Sequence, residues 1–160
     1  MTIEQAKQVL LYMGDMKAQK KQILREKNEI EQNYSCLRSQ KLDGMPRGSS
    51  EVSAVAVAAE LMDAEGDGDR LRELQERERV LTADEKLIRG VLDRMRAVYK
   101  ILMLETYVYK HSWEMVSRRV NYSVTSCKRL RNDGLKRFAE ILEGVPGADG
   151  VADRARDARG

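Results

Sequence analysis

Residues 111–142 read HSWEMVSRRVNYSVTSCKRLRNDGLKRFAEIL, and this stretch decides the fold. An apolar helical run from Met95 stops at Lys110-His111. Ser112 then opens a short helix through Val120, Asn121-Tyr122 interrupts it, and a further helix opens at Ser123. A serine just ahead of a helix caps free N–H groups with its hydroxyl, so Ser112 and Ser123 mark two starts. Trp113, Val116, Val120, Cys127, Leu130, Leu135 and Phe138 have the spacing of a small core shared with Tyr99, Leu102 and Met103. Two short helices joined by a tight turn, the second basic on one face and apolar on the other, make the pattern of a helix-turn-helix. Gly134 could end the last helix after Asp133, but the apolar spacing through Leu135, Phe138 and Leu142 predicts that it runs on.

Charge sharpens this expectation. The whole chain carries a net charge of only +3, so its sum says little about nucleic acid. From His111 to Phe138, however, Arg118, Arg119, Lys128, Arg129, Arg131, Lys136 and Arg137 face only Glu114 and Asp133. Thr125 and Ser126, near the start of the last helix, are placed for base edges or the nearest phosphates. Lys128, Arg129 and Asn132 lie about one turn further on. Arg or Lys can donate to guanine O6 and N7, and Asn can pair with adenine. Arg118 and Arg119, ending the preceding helix, suit phosphates, which set register without reading sequence. The expected DNA-contacting set is therefore Arg118, Arg119, Ser123, Thr125, Ser126, Lys128, Arg129, Arg131 and Asn132. A solvated face on a three-helix bundle would show the same basic stripe.

Upstream, Thr2-Ile-Glu-Gln5 reads as a capping box. Val9, Met13, Met16, Ile23, Ile30, Tyr34 and Leu37 then follow a 4/3 spacing, with Lys20 and Lys27 at the intervening seam positions. Such a seam favours helices wound around each other, and it equally fits one amphipathic helix lying on a core. Gly44, Pro46 and Gly48 break it within a loop at 42–50, and Ser50 caps a helix expected from Glu51 through Ala54, Val57, Leu61 and Ala64. Gly66 and Gly68 predict a break or fraying. Leu71, Leu74, Leu81, Ile88, Leu92 and Met95 resume a helical face; Thr82-Ala-Asp-Glu85, another capping-box match, leaves open whether a new helix starts there. Residues 1–95 are thus expected to form a helical hairpin or coiled coil that oligomerises the chain, with a helix-turn-helix domain over 96–143. Residues 144–160 lack bulky apolar side chains and are expected to be disordered.

The fold class is therefore all-α, a long helical region followed by a helix-turn-helix. With 160 residues, 34% charged and 5% aromatic, the composition suits long solvated helices better than a large globule. No basic-then-apolar leader pattern and no apolar run of about 18 residues is visible, and Cys36 and Cys127 form no paired motif, so a soluble cytoplasmic protein is expected. His111 has no Cys or carboxylate cluster in sequence around it, no phosphate-cradling glycine loop occurs, and no nucleophile–base set is visible. No catalytic residue, metal or cofactor is expected, and the chain reads as a non-enzyme.

Residues 95–142 also resemble the helix-turn-helix of sigma factor region 4, in Trp113-Glu-Met-Val116, Asn121-Tyr-Ser123 and the spacing of Cys127, Leu130 and Leu135. Over most of residues 1–142 the chain resembles phage and prophage late-gene transcriptional regulators of the ArpU and RinA type. Those carry a long first helix, a loop like Gly44 to Ser49, a second long helix and a sigma-like C-terminal unit. The glycine-rich 66–68 stretch and Gly134 depart from that pattern. The resemblance implies a sequence-specific regulator of late genes, binding double-stranded DNA as a homo-oligomer, with a dimer favoured, and meeting host RNA polymerase in the bacterial cytoplasm. Two alternatives remain at this point, a small terminase subunit marking viral DNA for packaging and a helical scaffold that binds proteins only.

Overall fold

Thr2 and Gln5 begin the first helix as a reciprocal pair. In the computed structural model, which describes residues 1–39 and 60–160, the Gln5 amide donates to the Thr2 hydroxyl at 3.2 Å and the Thr2 amide to the Gln5 side-chain oxygen at 2.9 Å. This is the expected capping box. Helix α1 (Ile3–Ser39) follows, then α2 (Asp67–Asp93), α3 (Ala97–Met103), a π-helical segment (Leu104–Val108), α4 (Trp113–Val120), α5 (Val124–Glu143) and α6 (Ala148–Asp157). The protein is all-α, with no strand among the described residues.

The chain packs as two units, Met1–Lys17 with Thr82–Gly160, and Ala18–Leu81. This grouping differs from the expected boundary near residue 95, because the start of α1 and the end of α2 pack with the C-terminal helices.

Within Ala18–Leu81, Lys27 pairs with Glu78, Glu26 with Arg70 at 2.7 Å, and the Tyr34 hydroxyl donates to Asp67 and Glu65. From Lys27 with Glu78 to Tyr34 with Asp67 and Glu65, partner numbers fall as α1 numbers rise, so α1 and α2 run antiparallel in this unit. Ile23, Tyr34, Leu74 and Leu81 are buried between them. Lys27, a polar intrusion in the apolar seam, is accommodated by its ion pair. The bonds to Asp67 and then Glu65 hold Tyr34 well above the ordinary phenol range. Residues 60–64 are helical and the break expected near Gly66 falls at Glu65–Gly66, where Gly66 has φ +76°. Thr82 to Glu85 lies inside α2 and starts no new helix. The loop at 42–50, the helix onset at Glu51 and the side chains of Cys36 and Leu37 lie outside the described residues.

In the other unit, Ala6, Val9, Leu10, Met13 and Met16 of α1 and Ile88, Val91, Leu92 and Met95 of α2 are buried. Gly14 lets the π-helical segment approach at backbone distance. A Cβ there would stand 3.0 Å from the Tyr107 carbonyl oxygen and 3.1 Å from that of Val108.

The tail corrects an expectation. Residues 144–160, read as disordered, instead carry helix α6. Large apolar side chains are not required, because Ala148, Val151, Ala152 and Ala155 form an i, i+3, i+4, i+7 stripe that is buried against the unit. Polar ties add to it. Arg154 pairs with Asp84, which is only 3% exposed and also accepts from the Tyr12 hydroxyl at 3.2 Å. Burial first, and then the Asp84 carboxylate, push the Tyr12 phenol up to about 12. Asp15 accepts from Arg159 at 3.0 Å and Lys110 at 3.1 Å. Burial alone would raise its pKa, but these two cations outweigh burial and hold it below the usual carboxylate value.

Candidate nucleic-acid interface

Arg96, in an extended conformation, turns the chain from α2 into α3. The π-helical segment that continues α3 closes when the Tyr109 amide donates to the Leu104 carbonyl at 2.8 Å and the His111 amide to Glu105 at 2.9 Å. Lys110 takes a left-handed φ of 54° between them, which is the first expected break. Ser112 then caps α4, its hydroxyl accepting from the Met115 amide at 3.4 Å.

The second break is built by Asn121, which ends α4 in the left-handed region at φ 56°, ψ 37°. Asparagine tolerates this conformation better than most residues. Ser117 Oγ donates to the Tyr122 carbonyl at 2.6 Å and closes the turn. Ser123 caps α5, accepting from the Ser126 amide at 3.2 Å, and its hydroxyl donates to that of Ser126 at 2.9 Å. Helix α5 runs unbroken through Gly134 to Glu143. Gly134 is buried against α3, where a Cβ would stand 3.3 Å from Tyr99 Cβ and 3.2 Å from Met103 Cε. The glycine that threatened to end the helix instead sits in the packing of α5 on α3.

Helix α3 packs on α5, and α4 packs on both. Leu102, Met103, Val116, Cys127, Leu135, Phe138 and Leu142 fill the core as expected. Burial pushes the Cys127 thiol up, so it behaves as an apolar filler. Tyr99, Trp113, Val120 and Leu130 are only half-buried. Trp113 has a different use from the core role expected. Arg131 and Lys128 lie over its ring, at 5.3 and 5.8 Å from the centroid. Such cation–π contacts contribute about 0.5–1 kcal/mol at exposed sites and restrict where the cations point.

The nine expected contact residues therefore divide. Thr125, Lys128, Arg129 and Asn132 are exposed together on α5, and Arg118 is exposed at the end of α4. Ser123 and Ser126 are at the helix start; the Ser123 hydroxyl is occupied in capping it, while that of Ser126 accepts from Ser123 Oγ. Arg131 is half-buried, stacked on Trp113 and forked onto the Asn132 side-chain oxygen at 2.8 and 3.2 Å. Asn132 thus already uses the acceptor that an adenine would need. Arg119, the other expected phosphate ligand, is bound by Glu105.

Glu105 was not singled out from the sequence. It is 4% exposed and gathers both the Arg119 guanidinium and His111 Nδ1. A buried carboxylate needs such partners, since desolvation without them is costly. The available signal was one acidic residue in an apolar helical run, six positions before the lone histidine. Its effect is to tie the π-helical segment to both ends of α4.

Among the described residues, no group of three or more His, Cys, Asp or Glu side chains is placed to hold a metal ion, and no helix is long and apolar enough to cross a membrane. Compared with protein-family models, with curated proteins and with solved structures, the chain finds no match.

Proposed function

We propose that the protein is a sequence-specific, non-catalytic DNA-binding transcriptional regulator. The observation that carries this reading is the exposed row Thr125, Lys128, Arg129 and Asn132 on α5, immediately after a capped helix start and a left-handed turn from α4. Lys128 and Arg129 have the donors to read guanine in the major groove, while Arg118 is free to meet a phosphate. Arg119 and Arg131 act mainly by holding the reader in shape.

We extend the proposal to a phage or prophage late-gene activator of the ArpU and RinA type, working as a homodimer in the bacterial cytoplasm and meeting host RNA polymerase. The resemblance in sequence is its support.

The test is a titration of the full chain with duplexes from the region upstream of its own gene, against scrambled duplexes, at two salt concentrations. A preference of about 10³-fold or more for one duplex, with a steep salt slope, is expected. No binding at low salt would overturn the proposal in favour of a protein-only scaffold. Solution mass separates the packaging alternative, because a ring of eight or more subunits fits a terminase and a dimer fits a regulator.

A further inference from the structure

Arg94 and Arg96 flank the break between α2 and α3, and both are exposed. They face Lys136 and Arg137 of α5 across an open groove of about 440 Å³, with Asp133 and Glu140 on the α5 side. The Arg96 guanidinium lies over the Tyr99 ring, 5.9 Å from its centroid, which holds it at the groove. Arg137 is paired with Glu140 at 2.9 Å. Arg94 and Lys136 form no ion pair with a described residue. The groove thus keeps a positive excess, concentrated on Arg94, Arg96 and Lys136.

Its place on α5 indicates what it meets. Lys136 follows Arg129 by seven residues, so the two share one side of the helix about 10 Å apart along its axis. The major groove of B-DNA is about 12 Å wide. A helix with Arg129 at the base edges therefore brings Lys136 to the groove wall, where phosphates stand. We propose that this cationic groove is a second binding site, which takes the sugar–phosphate backbone of the same duplex where α5 leaves the major groove. The proposal rests on the DNA-binding reading and deepens it. Arg94, Arg96 and Lys136 add affinity and fix register, and they carry no base preference. The groove joins the α2–α3 junction to the far end of the reading helix, so the footprint extends beyond the base pairs that α5 reads.

The test replaces together the three cations of the groove that make no ion pair with a described residue, Arg94→Ala, Arg96→Ala and Lys136→Ala, in the full chain. Binding is measured over a salt series on the preferred duplex and on a random duplex of equal length. Each neutralised phosphate contributes about 0.9 to the slope of log K against log salt, so the slope should flatten by about 2–3. Both duplexes should lose affinity by the same factor, phosphate-ethylation interference should disappear at one edge of the footprint, and Arg94→Lys with Arg96→Lys should retain the slope. Lys136→Ala alone, at an exposed position, should flatten it by about 1 and serves if the triple variant folds poorly. Preferred binding with an unchanged slope would overturn the second site while leaving the reading helix intact, and would turn attention to an acidic protein surface as its occupant. Failure of the unaltered protein to bind any duplex would overturn both.

Discussion

Arg154 donates from Nε and Nη2 to the two carboxylate oxygens of Asp84, at 2.8 and 2.6 Å, across seventy positions of sequence. Asp84 sits inside the unit while Arg154 is half-exposed, so the arginine neutralises a charge that water cannot reach. Removing it would leave that charge buried. Arg154→Ala should destabilise the unit by about 2–3 kcal/mol, below the 3–5 typical of fully buried pairs because solvent can enter the vacated space. Chemical denaturation followed by helical circular dichroism measures this, and a loss under 0.5 kcal/mol would show that the pair has little role in stability.

Two glycines should respond differently to a methyl group. At Gly14 the added Cβ meets backbone of Tyr107 and Val108, which cannot move without shifting the π-helical segment. Gly14→Ala should therefore cost more than about 1 kcal/mol despite the roughly 1 kcal/mol gain in helix propensity. At Gly134 one neighbour is the flexible end of Met103, so Gly134→Ala should change stability by less than about 1 kcal/mol, while Gly134→Leu overpacks and costs more. Melting temperatures of the three variants, ranked against the unaltered chain, test this order.

Arg118 and Arg119 are adjacent and should nevertheless separate. Arg118→Ala should leave stability within about 0.5 kcal/mol and weaken binding to every duplex alike. Arg119→Ala removes a partner of buried Glu105 and should lower stability by about 1–2 kcal/mol. Paired stability and binding measurements on both variants would refute this division if the two behaved identically.

Alkaline stability should depend on Tyr12. Its phenol is raised from 10.0 to about 12 in the folded chain, so the folded state keeps a proton that the unfolded state releases first. The stabilisation is complete below pH 10 and is lost as pH rises from 10 through about 12. The loss should be on the order of 1–3 kcal/mol, given 1.36 kcal/mol per pKa unit. Tyr12→Phe should flatten the stability curve in that window, and an unchanged curve would assign the alkaline sensitivity to Tyr34 or Tyr107, whose phenols are also raised.

What was legible in the sequence is what neighbours along the chain decide. Thr2 with Gln5, Ser112 with Met115, and Ser123 with Ser126 are contacts three residues apart, so caps and helix starts follow from local order. Asn121 marks the turn because few other residues enter the left-handed region, and apolar spacing alone predicts that α5 continues past Gly134. Exposure of Thr125, Lys128, Arg129 and Asn132 follows from the same periodicity.

Only the tertiary structure decided which of those polar residues are already engaged. Trp113 with Arg131, Glu105 with Arg119, and Asp84 with Arg154 join different elements, and nothing in local order specifies such pairs. The final helix depends on the last of these pairs. Its small side chains cannot offset the entropy of ordering by themselves, and they do so only against a surface assembled from α1, α2 and α5, with Asp84 waiting for an arginine. Burial and charge pairing are properties of assembled neighbours, and they arise only once the chain has folded.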